Sequence, residues 1–527
     1  MRLGLGLGLA LALTASAVPA MAADGPVVMV ETGKLQGVAA TGNSSVQIFR
    51  GIPYAKPPVG DLRWREPRAA ASWEGVRAAD HFGPRCMQKH MWDDMFFRSP
   101  RADEDCLYLN VWTPANLSKA ASAKLPVLVY IYGGGFIAGT SDEPRYDGAA
   151  TAAQGVVVVT LNYRLGIFGF FSHPQLTGES PHKASGNYGL LDQAAALAWV
   201  RRNIAAFGGD PKRITVGGES AGSMSVSGMM VSPLTRTLIA GAIGESGSSL
   251  LPYHPRKLAE GEADGMRFAE VLQVPTLAQL RAIPSDKLLD VQNYQGASWG
   301  PVIDGYYFTE DPEATYAAGK AAKGPLLVGS NSQEGAANWI LGDMAPTIAN
   351  YRVGVQKSFG ANADRVLQLY PAASDPDVIR AATELASDRF IAASTWNWFD
   401  HQRRTGWPTF YYYYTRVRPA PTAYKANGPA PYGALHSAEI EYALGNLDAN
   451  PSYAWTDADR KVSATMNGYF VNFIKTGNPN GQGLPLWVQA PAGDGGIQRQ
   501  IIDVETRRAA FPEQDRYVAM VPILSGR

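Results

Sequence analysis

A serine acts as a nucleophile only where the chain lifts it out of the surface and hands it to a base. One stretch of this sequence is built to do the lifting: Ile214-Thr215-Val216-Gly217-Gly218-Glu219-Ser220-Ala221-Gly222-Ser223. An apolar run stops at a glycine pair, presents Ser220 and passes into a helix, the G-x-S-x-G pattern of a nucleophile elbow. The sharp strand-to-helix turn strains the serine's φ/ψ, and residues without Cβ on either side let neighbouring backbone pass close by. Ser220 then stands at a helix head, where the dipole and the Ala221 amide face negative charge developing on an attacked carbonyl. The five residues alone also fit a surface serine in a glycine-rich turn; the strand before, the helix after and the partners downstream decide for the nucleophile.

Serine needs a base within hydrogen-bond reach, itself oriented by a carboxylate, and in sheets of this kind the chain order is serine, acid, histidine. Of the seven histidines, only His401 and His436 follow the late acidic candidates. His401 sits beside Gln402-Arg403-Arg404 and reads as an exposed helix end, whereas His436 lies in a loop past the last strands, where the base belongs. Glu334 is the acid that follows a strand, on a loop bounded by Gly329 and Gly335. Its competitor Asp304 precedes Gly305 and reads as a turn cap. A second glycine loop, Tyr132-Gly133-Gly134-Gly135-Phe136, follows an apolar run and brings bare amides close to a ligand, as the other half of an oxyanion hole requires.

These residues are scattered, so regular elements must gather them. Residues 125–131, 155–163, 214–217, 241–245, 324–329 and 408–414 read as buried strands. Between them, 189–208 carries a helical stripe at Leu190, Ala194, Leu197, Val200, Ile204 and Phe207, and a second helix runs from the elbow to about Met230. Strand–helix alternation predicts a mostly parallel central sheet with helices on both faces. Residues 27–30 and 46–49 read as a short antiparallel pair, and the proline-dense 49–64 as an ordered surface loop. Two stretches, about 250–323 and 340–405, break the rhythm and are expected as helical cap insertions over the strand ends; 457–475 reads as the closing helix.

The chain has 527 residues with 47 basic and 47 acidic side chains. A balanced charge argues against nucleic acid or an anionic membrane surface as partner. Arg2, an apolar run from Leu3 to Leu13 and Ala20-Met21-Ala22 lay out a signal peptide, residues 1–22, which predicts export to the periplasm or outside the cell. That run is short of the ~20 residues a membrane span needs. Length alone suggests several domains of ~150 residues, yet no linker offers a cut, so 23–527 reads as one catalytic domain. In an exported chain the two cysteines, Cys86 and Cys106, are expected to pair; two cysteines without histidine at ligand spacing make no zinc site.

The run 49–60, Glu104-Asp105-Cys106-Leu107-Tyr108-Leu109-Asn110-Val111 and the elbow together resemble the type-B carboxylesterase family, relatives of the cholinesterases within the α/β-hydrolase fold. The likeness runs from about Val28 to the last helix. It implies a carboxylic ester hydrolase that works through an acyl-enzyme, with Ser220, His436 and Glu334 as triad and Gly134, Gly135 and Ala221 as oxyanion donors. The family carries its acid in a pair like Glu334-Gly335 and its histidine before a pair like Glu439-Ile440; Ser437 departs from the glycine usual after the histidine. The resemblance further implies that Glu219, Ser246 and Glu439 hydrogen-bond behind the triad, and that Cys86 and Cys106 close the first disulfide loop. It offers Phe136, Tyr253, Trp299, Ala336 and Ala337 as lining of the substrate pocket. Trp92 occupies a region where cholinesterases hold a quaternary ammonium, but the loop spacing differs and choline specificity does not follow. A small-molecule ester is the implied partner, with no metal or organic cofactor. An amidase or carbamate hydrolase would use the same machinery; a non-catalytic binding relative usually lacks the serine or its partners, and all three are present here.

Overall fold

Strands that are apolar on every residue must be covered on both faces, and the buried runs of this chain assemble accordingly into one large sheet. The computed structural model describes residues 25–292, 299–423 and 431–526, so the signal-like segment lies outside the described residues. The sheet has eleven strands: β1 Val38–Ala40, β2 Asn43–Pro53, β3 Tyr108–Pro114, β4 Leu125–Ile131, β5 Val157–Leu161, β6 Gly209–Glu219, β7 Gly241–Glu245, β8 Leu326–Asn331, β9 Thr409–Tyr414, β10 Gln498–Ile502 and β11 Arg507–Ala510. Their spatial order is β11-β10-β9-β8-β7-β6-β4-β5-β3-β2-β1. From β5 to β10 every neighbour is parallel, and antiparallel strands flank this block on both sides. In the parallel block β5 and β7 are buried at every residue.

Helices on the sheet complete the α/β-hydrolase architecture: α1 Tyr188–Asn203, α2 Ala221–Val231, α3 Leu258–Val271, α4 Val378–Ser387, α5 Ala393–Arg404, α6 Asp457–Thr476 and α7 Gln514–Ser525. A π-helical turn, Asp388–Ala392, joins α4 to α5. Helix α1 is buried round most of its circumference, which obliges its Asp192 to be paired: Arg164 donates to it through Nε and Nη2 at 2.8 and 2.7 Å. The main core includes Phe268, Leu280, Leu288, Tyr307 and Phe308 from the 250–323 stretch, while 340–405 builds a second cluster around Tyr351, Val366 and Leu385 with Met520 of α7. Cys86 and Cys106 are disulfide-bonded, their Cα atoms 5.0 Å apart.

Several expectations are corrected. Strand Val27–Val30 pairs with Gly33–Gln36 in a separate small sheet, not with 46–49, which belongs to β2 of the large sheet. The proline-dense stretch is a surface loop only in its middle: Lys56, Pro57 and residues 59–61 are exposed, whereas Tyr54, Arg63 and Trp64 are buried, Trp64 packing on Phe171 and Arg63 pairing with Glu104. Helix α6 does not close the chain, since β10, β11 and α7 follow it. His401 is half-buried against Tyr316, not an exposed helix end.

Candidate active site

Strand β6 ends at Glu219 and helix α2 starts at Ala221, so Ser220 alone makes the turn, at φ 56° and ψ −121°. Its N–H donates to the Glu245 carbonyl at the end of β7, 2.8 Å away, which holds a backbone conformation costing on the order of 1–3 kcal/mol. The glycines follow from crowding. A Cβ on Gly222 would lie 2.0 Å from the Ile131 carbonyl oxygen and one on Gly218 2.7 Å from the same atom, so the elbow is pressed against the end of β4. A Cβ on Gly133, just past β4, would lie 3.0 Å from Ser220 Cβ, which brings the glycine loop directly against the serine.

All the remaining groups lie beyond the carboxyl ends of the parallel strands, where a sheet of this type opens a crevice. Glu334, three residues past β8, accepts from the Asn331 N–H at 2.6 Å and from Ser246 Oγ at 2.5 Å through Oε1. Its Oε2 lies 2.7 Å from His436 Nδ1, and His436 Nε2 lies 2.9 Å from Ser220 Oγ. With the proton on Nδ1, where Glu334 accepts it, Nε2 is left to accept from the serine hydroxyl. Backbone bonds stitch the two loops together: Gln333 N–H donates to the Ala434 carbonyl and Gly433 N–H to Gln333 Oε1, both at 2.8 Å. Asn331 Nδ2 donates to the Leu435 carbonyl at 2.8 Å and to Glu439 Oε2 at 2.5 Å. Ser437 stands at φ 65°, the left-handed region that favours glycine, and carries that conformation as a serine.

Four buried carboxyl groups surround the serine–histidine pair: Glu219, Glu245, Glu334 and Glu439. Burial pushes Glu219 up to about 7 and Glu439 up to about 8, and raises Glu245, which accepts from Tyr130 Oη, well above the usual range. Glu219 Oε1 lies 3.2 Å from His436 Nε2, and the imidazole is 24 % exposed at the cavity. Burial alone would lower the histidine; the charges of Glu219, Glu334 and Glu439 outweigh it and raise His436 to about 9. Asp304 lies apart, its Oδ1 accepting from the N–H groups of Tyr306, Tyr307 and Phe308 as a turn cap does. Among the described residues no group of three or more His, Cys, Asp or Glu side chains is arranged to hold a metal.

A cavity of about 530 Å³ opens over Ser220, lined by Gly134, Gly135 and Ala221 as well as by Glu334 and His436. One wall comes from the disulfide loop, with Trp92, Asp94 and Met95; the opposite wall is Ala336, Trp339, Phe390 and Ile391. Of the five residues expected to line the pocket, only Ala336 does so. Phe136 turns into the core against Phe170, 5.0 Å between ring centres, and Trp299 is buried between Phe171 and Phe268. Tyr253 is exposed, its hydroxyl donating to the Arg389 carbonyl, and Ala337 packs on the second core cluster. Their places are taken by Phe390, which the π-helical turn pushes out to 5.0 Å from the His436 ring, and by Trp339 stacked edge-on against it at 5.1 Å. The only signal for Trp339 was a large aromatic five residues beyond the acid; nothing in the sequence marks the π turn.

The carboxylesterase-family profile matches residues 24–509. The chain is 37% identical over 494 residues to the fumonisin B1 esterase of Sphingopyxis macrogoltabida, covering 88% of this chain and 85% of that one. It is 35% identical over 479 residues to the para-nitrobenzyl esterase of Bacillus subtilis (strain 168), covering 86% and 90%. A solved structure of PNB esterase superposes with a TM-score of 0.78 at 31% identity, over 93% of this chain and 99% of that one.

Proposed function

This chain belongs to the carboxylesterase family and is a carboxylic ester hydrolase, and from that premise we propose that it works as a serine hydrolase in which Ser220, His436 and Glu334 form the triad. The observation that supports this most directly is the unbroken contact from Glu334 through both ring nitrogens of His436 to Ser220 Oγ, at 2.7 and 2.9 Å. His436 Nε2 takes the hydroxyl proton as Ser220 Oγ attacks the ester carbonyl. The oxyanion is held by the N–H groups of Gly134, Gly135 and Ala221, and the imidazolium is stabilised by Glu334. The proton passes to the departing alcohol, and water then releases the acid from Ser220 by the same route in reverse. Ser246 and Asn331 orient Glu334, while Glu219 and Glu439 set the field around the imidazole. Residues from 23 onward act as one catalytic domain, and the signal-like N-terminus together with the disulfide supports export.

The substrate is a small ester with an apolar body, since apart from the triad the lining is dominated by Trp92, Met95, Ile137, Met224, Trp339 and Phe390. A series of p-nitrophenyl esters, run beside an amide and a carbamate of the same acyl group, tests the reaction class. Burst release of p-nitrophenol is expected, and Ser220→Ala lowers kcat by about 10⁴-fold or more with folding intact. Ester hydrolysis by Ser220→Ala within about tenfold of the wild-type rate rejects the scheme.

A further inference from the structure

The glycine loop after β4 has to hold two backbone N–H groups still while a charge forms in front of them. Its internal bonds account for part of this: Ile137 and Ala138 N–H both donate to the Gly134 carbonyl at 3.0 Å, and Gly166 N–H donates to that of Phe136 at 2.7 Å. The loop leaves its turn at Gly139, φ 114°, where a Cβ would lie 2.7 Å from the Gly133 carbonyl oxygen. Entry and exit are therefore in contact, and whatever fixes Gly139 fixes the frame of 133–135.

What fixes Gly139 comes from the disulfide loop. Gln88, two residues past Cys86 and 7% exposed, accepts from Gly139 N–H through Oε1 and donates to the Gly139 carbonyl through Nε2, both at 2.8 Å. The same Nε2 donates to the Cys86 carbonyl at 3.1 Å, which ties the carboxamide to the bridged residue. Asn162 makes a second tie two residues on: its Oδ1 accepts from Ser141 N–H at 2.9 Å and its Nδ2 donates to the Pro84 carbonyl at 3.0 Å. Met95, later in the disulfide loop, packs so closely that a Cβ on Gly134 would lie 3.2 Å from its methyl carbon.

We infer that Gln88 is a positioning residue for the oxyanion-holding loop, its carboxamide clamping both backbone groups of Gly139 so that Gly134 and Gly135 keep their N–H groups aimed at the reacting oxygen. The inference rests on the proposed role of those two glycines. A buried amide with two backbone partners also contributes to stability, so the test has to separate placement from folding. Gln88→Met keeps the shape and loses both bonds to Gly139 along with the one to the Cys86 carbonyl. Gln402→Met removes another fully buried carboxamide, which donates to the Gly324 carbonyl at 2.8 Å at the amino end of β8, and serves as the stability control.

The readouts are kcat and KM on p-nitrophenyl butyrate and the affinity for a trifluoromethyl ketone, which Ser220 converts to a tetrahedral oxyanion. For Gln88→Met, kcat is expected to fall about tenfold to a hundredfold, part of what losing one oxyanion donor costs, with KM within about threefold. The ketone weakens by the same factor as kcat, and Gln402→Met moves neither. Equal kcat and ketone affinity in folded Gln88→Met and wild type overturn the inference. Should Gln88→Met not fold, Gln88→Glu, which keeps the acceptor for Gly139 N–H and loses the donor to its carbonyl, carries the same comparison with the same deciding outcome. A failed mechanism is distinguishable: there the wild type itself does not bind the ketone.

Discussion

Replacing Glu219 by glutamine removes a charge next to the proposed base with little change of shape, and the acid limb of the rate profile reads the result. Nε2 of His436 lies 3.2 Å from Glu219 Oε1, and the carboxylates around it hold the imidazole up at about 9 against the opposing effect of burial. A protonated imidazole cannot accept the Ser220 proton, so kcat/KM rises with pH through the histidine's value, above the ordinary ~6.5. An opposite charge at such range shifts a pKa by roughly 1–3 units. Glu219, pushed up to about 7 by burial, is ionised at the pH of a limb near 9, so the variant loses a full charge there while those of Glu334 and Glu439 remain. Glu219→Gln is therefore expected to move the acid limb down by about 1 pH unit, equivalent to ~1.4 kcal/mol of lost preference for the imidazolium. The assay is kcat/KM on p-nitrophenyl acetate across roughly pH 6–11, corrected for spontaneous hydrolysis and followed at the isosbestic wavelength of the leaving group. Glu439→Gln, whose carboxylate is turned toward Asn331, should move the limb less. An active Glu219→Gln enzyme whose acid limb stays in place, or rises, refutes the electrostatic reasoning.

Cys86→Ser together with Cys106→Ser opens a loop of sequence separation 20 and should cost about 3 kcal/mol in the loop-entropy account. A denaturant midpoint unchanged from wild type would contradict that figure. Trp339 and Trp92 line the cavity yet are 52% and 43% exposed, so a long substrate buries them and a short one does not. Trp339→Ala should lower kcat/KM for a long-chain p-nitrophenyl ester about fivefold to tenfold, from on the order of 1 kcal/mol of apolar burial lost, and leave the acetate nearly unchanged. A uniform loss across the chain-length series would place Trp339 outside the binding surface.

Within the parallel block, β4, β5, β7, β8 and β9 were legible because each holds a short apolar or aromatic run bounded by turn signals, the pattern of strands covered on both faces. The edge was not. Strand β10 is Gln498-Arg499-Gln500-Ile501-Ile502, polar enough to pass for a loop, and its Arg499 and Gln500 are buried only because Glu513 and Tyr469 are brought to them from elsewhere. The 49–64 stretch was legible as a surface loop in its middle but not at its buried ends. Proline density fixes local conformation but says nothing about which surface lies above it, and the partners of Arg63 and Trp64, Glu104 and Phe171, are far along the chain.

The same division runs through the site. The proposed triad, Ser220, Glu334 and His436, could be picked out because the backbone restricts where each can stand: an elbow needs its glycines, and an acid and a base need loops past parallel strands. Pocket walls carry no such restriction. Phe136 is adjacent to the glycine loop yet packs on Phe170, at φ 61°, away from the cavity lining, while Phe390, which meets His436, sits in a π-helical turn that no sequence pattern marks. Gln88 falls between the two cases. Its position beside Cys86 is visible in the sequence, but its two bonds to Gly139 depend on the disulfide loop folding over the end of β4, so the positioning role inferred for it follows from tertiary contact alone.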